Sequence, residues 1–188
     1  NDYNAGGSNA TGSYAVGTTT VTFTATDESG NTHSCSVAVT VTDDEAPELT
    51  CPASPAPLSA DASCSAIAPD LAALAIAVDN CTDPLTITQI PASGDALVLG
   101  DNTITLSVSD AAGNSTTCTV TVTVVDDTAP VLSCPAVPSD ISVDGTCSAS
   151  VPDLVSGASA TDNCPASLTI TQSPPAGASL DLWVTTVT

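Results

Sequence analysis

The sequence predicts an all-β array of small immunoglobulin-like sandwich domains, and three observations predict it. The first is an 83-residue period: Cys35 recurs as Cys118, Cys51 as Cys134, Cys64 as Cys147 and Cys81 as Cys164. The second is strict alternation of apolar and polar residues, in Val21-Thr-Phe23-Thr-Ala25-Thr and Ile104-Thr-Leu106-Ser-Val108-Ser. Alternation of that kind marks a strand with one buried face. The third is turn chemistry between such runs, Asp27-x-x-Gly30-Asn31 and Asp110-x-x-Gly113-Asn114. A unit of that length can close a modest core of its own. It is too long for solenoid or propeller repeats of roughly 20–50 residues. Residues 44–127 read as one complete repeat, 1–43 as the C-terminal part of a first and 128–188 as the N-terminal part of a third. The natural chain is expected to continue on both sides.

Each element follows from local pattern. The alternating run ending at Thr26 or Ser109 leads through a Gly-Asn turn into Val37-Ala-Val39-Thr-Val41 or Val120-Thr-Val122-Thr-Val124. Period two, β-branched residues and that turn predict a β-hairpin. Further strands are expected at 48–51, 64–68, 85–90 and their copies one period on. Residues 71–78 have some helical character, but their counterpart contains Val155-Ser-Gly-Ala-Ser159, so a loop is expected there. About seven short strands per unit indicate the immunoglobulin-like sandwich.

Composition narrows function. There are 21 Asp and Glu, one His and no Lys or Arg, for a net charge of −21. Without a cationic side chain the protein cannot neutralise phosphates, which excludes nucleic acid. Attraction to anionic membranes is excluded on the same ground. A field of one sign pushes neighbouring units apart and favours an extended array. Trypsin-like proteases find no site. Eight cysteines at repeating positions argue for disulfides and an oxidising compartment. Zinc is disfavoured: no C-x-x-C pair is present, and His33 has Thr116 as its counterpart.

Certain words carry a family resemblance. Gly17-x-x-x-Val21 through Asp27-x-x-Gly30-Asn31-x-x-x-Cys35, then Val39-Thr-Val41-Thr-Asp43 and Pro47-x-x-x-Cys51-Pro52, resemble the hyalin repeat, the HYR module. The second copy bears the same marks at Gly100, Ile104, Asp110, Gly113, Asn114, Cys118, Asp126, Pro130, Cys134 and Pro135. The triplets Asp79-Asn80-Cys81 and Asp162-Asn163-Cys164 are similar to the family's as well. In the third unit Trp183 stands where Gly17 and Gly100 stand earlier. The resemblance implies immunoglobulin-like extracellular or cell-surface modules, used in long arrays for adhesion, and in bacteria parts of large secreted surface proteins. It implies no enzyme activity.

Pairing sequence neighbours, Cys35 with Cys51 and Cys118 with Cys134, would span a strand about 30 Å long, far beyond the roughly 7 Å a disulfide allows. First and last strands of a sandwich lie side by side. Cys51 is therefore expected to meet Cys118, Cys64 to meet Cys81, and Cys147 to meet Cys164. Cys35 and Cys134 are left to partners outside the sequence.

Acids gather at the junctions. Asp43, Asp44 and Glu45, with Asp79 and Asp110 from loops at the receiving pole, form a candidate Ca²⁺ site of hard oxygen ligands. Asp126, Asp127 and Asp162 form its copy in the next unit. The other reading is that the linkers are simply solvated and that Asp27 and Asp110 hold their turns. Both stay open, and no cofactor other than Ca²⁺ is indicated. Glycosylation candidates are Asn9, Asn80 and Asn114 in Asn-x-Thr sequons, and Thr128 in Asp127-Thr-Ala. A Ser–His–Asp site would need His33, which the complete repeat lacks, and no Lys can act as base. The leading function is a structural stalk or fibre shaft at the cell surface, its partners being neighbouring repeats and other copies in a fibre, with no membrane insertion. The alternative is an adhesive module reading glycan or protein through its loops. The near absence of aromatic side chains favours the stalk.

Overall fold

A computed structural model describes residues 11–136, 141–145, 147–164 and 167–180. Its strands are β1 (Gly17–Thr26), β2 (Thr32–Val41), β3 (Glu48–Thr50), β4 (Leu58–Ser59) and β5 (Ser65–Ile67). There follow β6 (Ile76–Val78), β7 (Thr86–Ile90), β8 (Ala96–Val98), β9 (Gly100–Ser109) and β10 (Ser115–Val125). Residues beyond 127 add β11 (Val131–Ser133), β12 (Ala149–Ser150), β13 (Ser159–Thr161) and β14 (Ser179–Leu180). Two single-turn 3-10 segments, Ala72–Leu74 and Val155–Gly157, are the only helical elements among the described residues. The all-β expectation holds.

The chain divides into two compact units. One draws on residues 1–54, 69–94 and 103–120, the other on 55–68, 95–102 and 121–188. Strands β9 and β10 run through both.

In the first unit, β1 and β2 pair antiparallel from Gly17↔Val41 to Thr26↔Thr32. Asp27 closes the turn: its carboxylate accepts from the Asn31 backbone and side-chain amides, both at 2.8 Å. Gly30 takes φ +87° there, a conformation open to glycine at no steric cost. Only Val21 of this hairpin is buried, while Val37 is 53 % exposed. Their counterparts Ile104 and Val120 are 0 % and 3 % exposed, in a sheet of four strands rather than two. Strand β3 pairs with β6, and β7 with β9 from Thr86↔Ser109 to Ile90↔Thr105.

In the second unit β5 pairs antiparallel with β8, and β4 lies parallel to the end of β10. Further along the chain β11 pairs with β13 and β12 with β14. The long hairpin of the complete repeat sits in a sheet of order β4-β10-β9-β7. Its alternating residues Ile104, Leu106 and Val108 on β9, and Val120, Val122 and Val124 on β10, are at most 3 % exposed. Burial of a Val, Leu or Ile is worth about 1.5–3 kcal/mol, so these positions carry much of the stability of the complete repeat.

Three elements differ from the sequence reading. Residues 76–78, expected to be loop, form β6, because the edge of β3 supplies a partner. The copy of β7, residues 168–173, is not a strand. The counterpart of β9 begins at residue 183 and lies outside the described residues, as does Trp183. The strand running parallel beside β10 is β4 rather than β3.

Candidate functional site

The junction before the complete repeat is built from three segments. The linker brings Asp43, the loop after β6 brings Asp79, and the β9–β10 turn brings Asp110. One carboxylate oxygen of each lies within 4.8 Å of the others. Asp110 holds its turn as Asp27 does: Oδ1 accepts from the amides of Gly113 (2.6 Å) and Asn114 (2.7 Å), and Oδ2 from Asn114 Nδ2 (2.7 Å). Desolvation pushes the Asp110 pKa up, but the bonds from Asn114 and Gly113 outweigh it and hold the carboxyl below its ordinary value. In Asp27 the Asn31 side-chain and backbone bonds lower it likewise.

Asp79 uses only one oxygen. Its Oδ2 accepts from the amides of Cys81 (2.9 Å) and Thr82 (2.7 Å), while Oδ1 is buried with no hydrogen-bond partner. An orphaned carboxylate oxygen beside two other carboxylates has no compensation for its lost water. A divalent cation would supply it, and three carboxylates with adjacent carbonyls offer the hard ligands Ca²⁺ takes. Asn114 Nδ2 also reaches the linker carbonyls of Asp43 (3.0 Å) and Glu45 (3.1 Å), so the turn grips the linker directly. The Cys81 thiol sits in the same field. Desolvation, then the charges of Asp43 and Asp79, push its pKa up.

The other expected ligands are elsewhere. Glu45 accepts from Asn80 Nδ2 at 2.8 Å, and Asp44 from Thr42 Oγ1 at 3.4 Å. One period on, Asp126 accepts from the Thr128 amide (3.1 Å), Asp127 from Ser59 Oγ (2.6 Å) and Asp162 from the Cys164 amide (2.9 Å). Among the described residues these three do not gather as Asp43, Asp79 and Asp110 do. The amide nitrogens of Asn80 and Asn114 are engaged in the bonds above. Thr128 is exposed, and Asn9 lies outside the described residues. His33 is exposed on β2 opposite Ala25.

The disulfides are the second feature. Cys51, just after β3, is joined to Cys118 on β10, with Cα atoms 6.2 Å apart. Cys64 is joined to Cys164, with Cα atoms 4.7 Å apart, and not to Cys81. This corrects the expected Cys64–Cys81 and Cys147–Cys164 pairs. The segments bearing Cys64 and Cys81 pair with different strands and belong to different units, so their closeness in sequence does not decide their pairing. Cys35, Cys81, Cys134 and Cys147 are free and exposed. Closing loops of 67 and 100 residues is worth about 4–5 kcal/mol each in the loop-entropy model.

The turn that presents Cys64 was missed in the sequence. The Asp61 carboxylate accepts from the Ser63 and Ser65 amides, and the Cys64 amide donates to the Asp61 carbonyl. Cys64 has φ +56° and Cys147, its counterpart after Asp144, φ +59°. Left-handed backbone costs a residue with a Cβ roughly 1–2 kcal/mol. The visible signal was the recurring Asp-x-x-Cys-Ser, at 61–65 and 144–148.

Residues 6–41 and 42–124 match the family model of the HYR domain in two successive copies. HYR domains are extracellular, adhesion-type repeats without catalytic function. The two disulfides agree with an extracellular setting, and no helix among the described residues is long and apolar enough to cross a membrane. The all-β repeats, the Asp-x-x-Gly-Asn turns and the matched spacing agree, and the chain belongs to the HYR domain family.

Proposed function

We propose that these repeats form the shaft of a long extracellular filament or cell-surface adhesin of bacterial type, acting as a mechanical spacer with acidic joints that bind Ca²⁺. The observation that carries the reading is the Cys51–Cys118 bridge, which ties the entry of the complete repeat to its last long strand. In a repeat closed by that bond alone, tension entering at the linker crosses to Cys118 and bypasses β9 and the first residues of β10. The absence of Lys and Arg and the net charge of −21 support an extended, mutually repelling array. At the joint, Asp43, Asp79 and Asp110 would hold the cation, and the linker grip of Asn114 would stiffen with it.

The rival, an adhesive module, draws on the family's association with adhesion. Glycan platforms use Trp and Tyr, and residues 44–127 contain no aromatic side chain. A glycan array probed with the purified chain separates the two. The shaft reading expects no saturable binding; specific binding at micromolar concentration would sink it.

A further inference from the structure

We propose that each repeat is covalently stitched to the next through a recurring dock, in which the Asp-x-x-Cys turn of one repeat receives the Asp-Asn-Cys triplet of its successor. The bridge Cys64–Cys164 spans 100 residues. Cys164 is the copy of Cys81 one period on, so the bond joins a repeat to its successor rather than closing one repeat.

The dock has more than one point of contact, all inside the second compact unit. Asn163 Nδ2, one residue before the bridging cysteine, donates to the Asp61 carbonyl at 3.1 Å, within the turn that presents Cys64. Asp127, in the linker between the repeats, accepts from Ser59 Oγ at 2.6 Å. Cys164 is 3 % exposed in this dock. Its counterpart Cys81 is exposed. The turn itself is reproduced at Asp144: the Cys147 amide donates to the Asp144 carbonyl at 3.1 Å, as Cys64 does to Asp61 at 3.0 Å. Cys147 has the same left-handed backbone as Cys64. The third repeat therefore presents its cysteine in the form that the second repeat uses to bind its successor.

The rule also accounts for the unpaired cysteines. Two bridges per repeat, one internal like Cys51–Cys118 and one forward like Cys64–Cys164, assign every cysteine of the period. Displaced by one period, Cys35 and Cys134 take internal partners, Cys81 a partner in a preceding repeat and Cys147 one in a following repeat, in any array that continues the period. The four free thiols are the four whose assigned partners fall outside this sequence. Formation of each bridge needs an oxidant, and a dithiol–disulfide exchange protein of an oxidising compartment serves. One thiolate attacks its disulfide to give a mixed disulfide, and the second thiolate displaces it. Two protons leave the repeat pair, and two electrons pass to the oxidant as it becomes a dithiol.

The test is connectivity in the oxidised chain. Alkylation without reductant followed by peptic digestion and mass spectrometry is expected to give cross-linked peptides for Cys51–Cys118 and Cys64–Cys164, with four alkylated cysteines, Cys35, Cys81, Cys134 and Cys147. Cys64–Cys81 with Cys147–Cys164, leaving only Cys35 and Cys134 alkylated, would overturn the proposal. The double variant Cys81→Ser/Cys147→Ser checks it without touching the Cys64–Cys164 dock. Both bridges and the melting temperature are expected to be unchanged, whereas loss of bridging at Cys64 and Cys164 would overturn it. Neither result depends on the shaft reading, which the glycan array tests separately.

Discussion

At the scale of single residues, side-chain amides and carboxylates fix the geometry. Gln89 Oε1 accepts from the amides of Leu71 (2.8 Å) and Ala72 (3.1 Å), and its Nε2 donates to the Pro69 carbonyl at 2.8 Å. Gln172 makes equivalent bonds to Leu154 and Pro152. Thr-Ile-Thr-Gln and Pro-Asp-Leu were thus legible as recurring words, but not as two halves of one clasp, because the bond between them spans 18 residues. Gln89→Ala should destabilise the complete repeat by about 2–4 kcal/mol, since it strands two amides and a carbonyl; chemical denaturation with an unchanged m-value would show it. Asp27 and Asp110 carry a pH signature. A carboxyl whose pKa is lowered by folding contributes stability that is complete above its ordinary value of 3.8 and is lost as pH falls through the lower folded value. The melting temperature should therefore fall as pH drops below about 4. Asp110→Asn should be less stable at neutral pH and should show a flatter acid limb; an unaltered acid limb would remove Asp110 from this role.

Elements were legible where partners are local. The hairpins were read from alternation and turn residues, and they stand because strand, turn and partner follow one another directly in the chain. Short strands such as β4, β6 and β8 escaped, since two or three residues become a strand only when a distant edge accepts them. The joint was half legible. The acidic linker was visible as charge, yet only Asp43 of its three acids enters the cluster with Asp79 and Asp110. The Asn114 grip on the linker carbonyls had no signature beyond the turn motif. If the joint binds Ca²⁺, a ligand held by the folded state alone stabilises it by mass action. Millimolar Ca²⁺ should raise the melting temperature, and a chelator should reverse the rise. Asp79→Asn should abolish the response, and a melting temperature indifferent to Ca²⁺ removes the metal from the account.

On the scale of the whole molecule, the 83-residue period announced the array, but it did not say which cysteines meet. Sequence geometry favoured closure within each repeat, because distances inside a domain can be estimated from strand lengths and those across a junction cannot. The bond from Cys64 to Cys164 turns a row of separate domains into a chain whose covalent path skips most of its own length. That claim is tested most directly by pulling. In a single-molecule force measurement with handles at the two ends, the oxidised chain can extend only outside its bridges. Reduction should release the 100 residues between Cys64 and Cys164, a gain in contour length of about 340 Å. No gain contradicts the account, and so does one clearly shorter, such as the roughly 230 Å expected if only the 67-residue loop between Cys51 and Cys118 were locked.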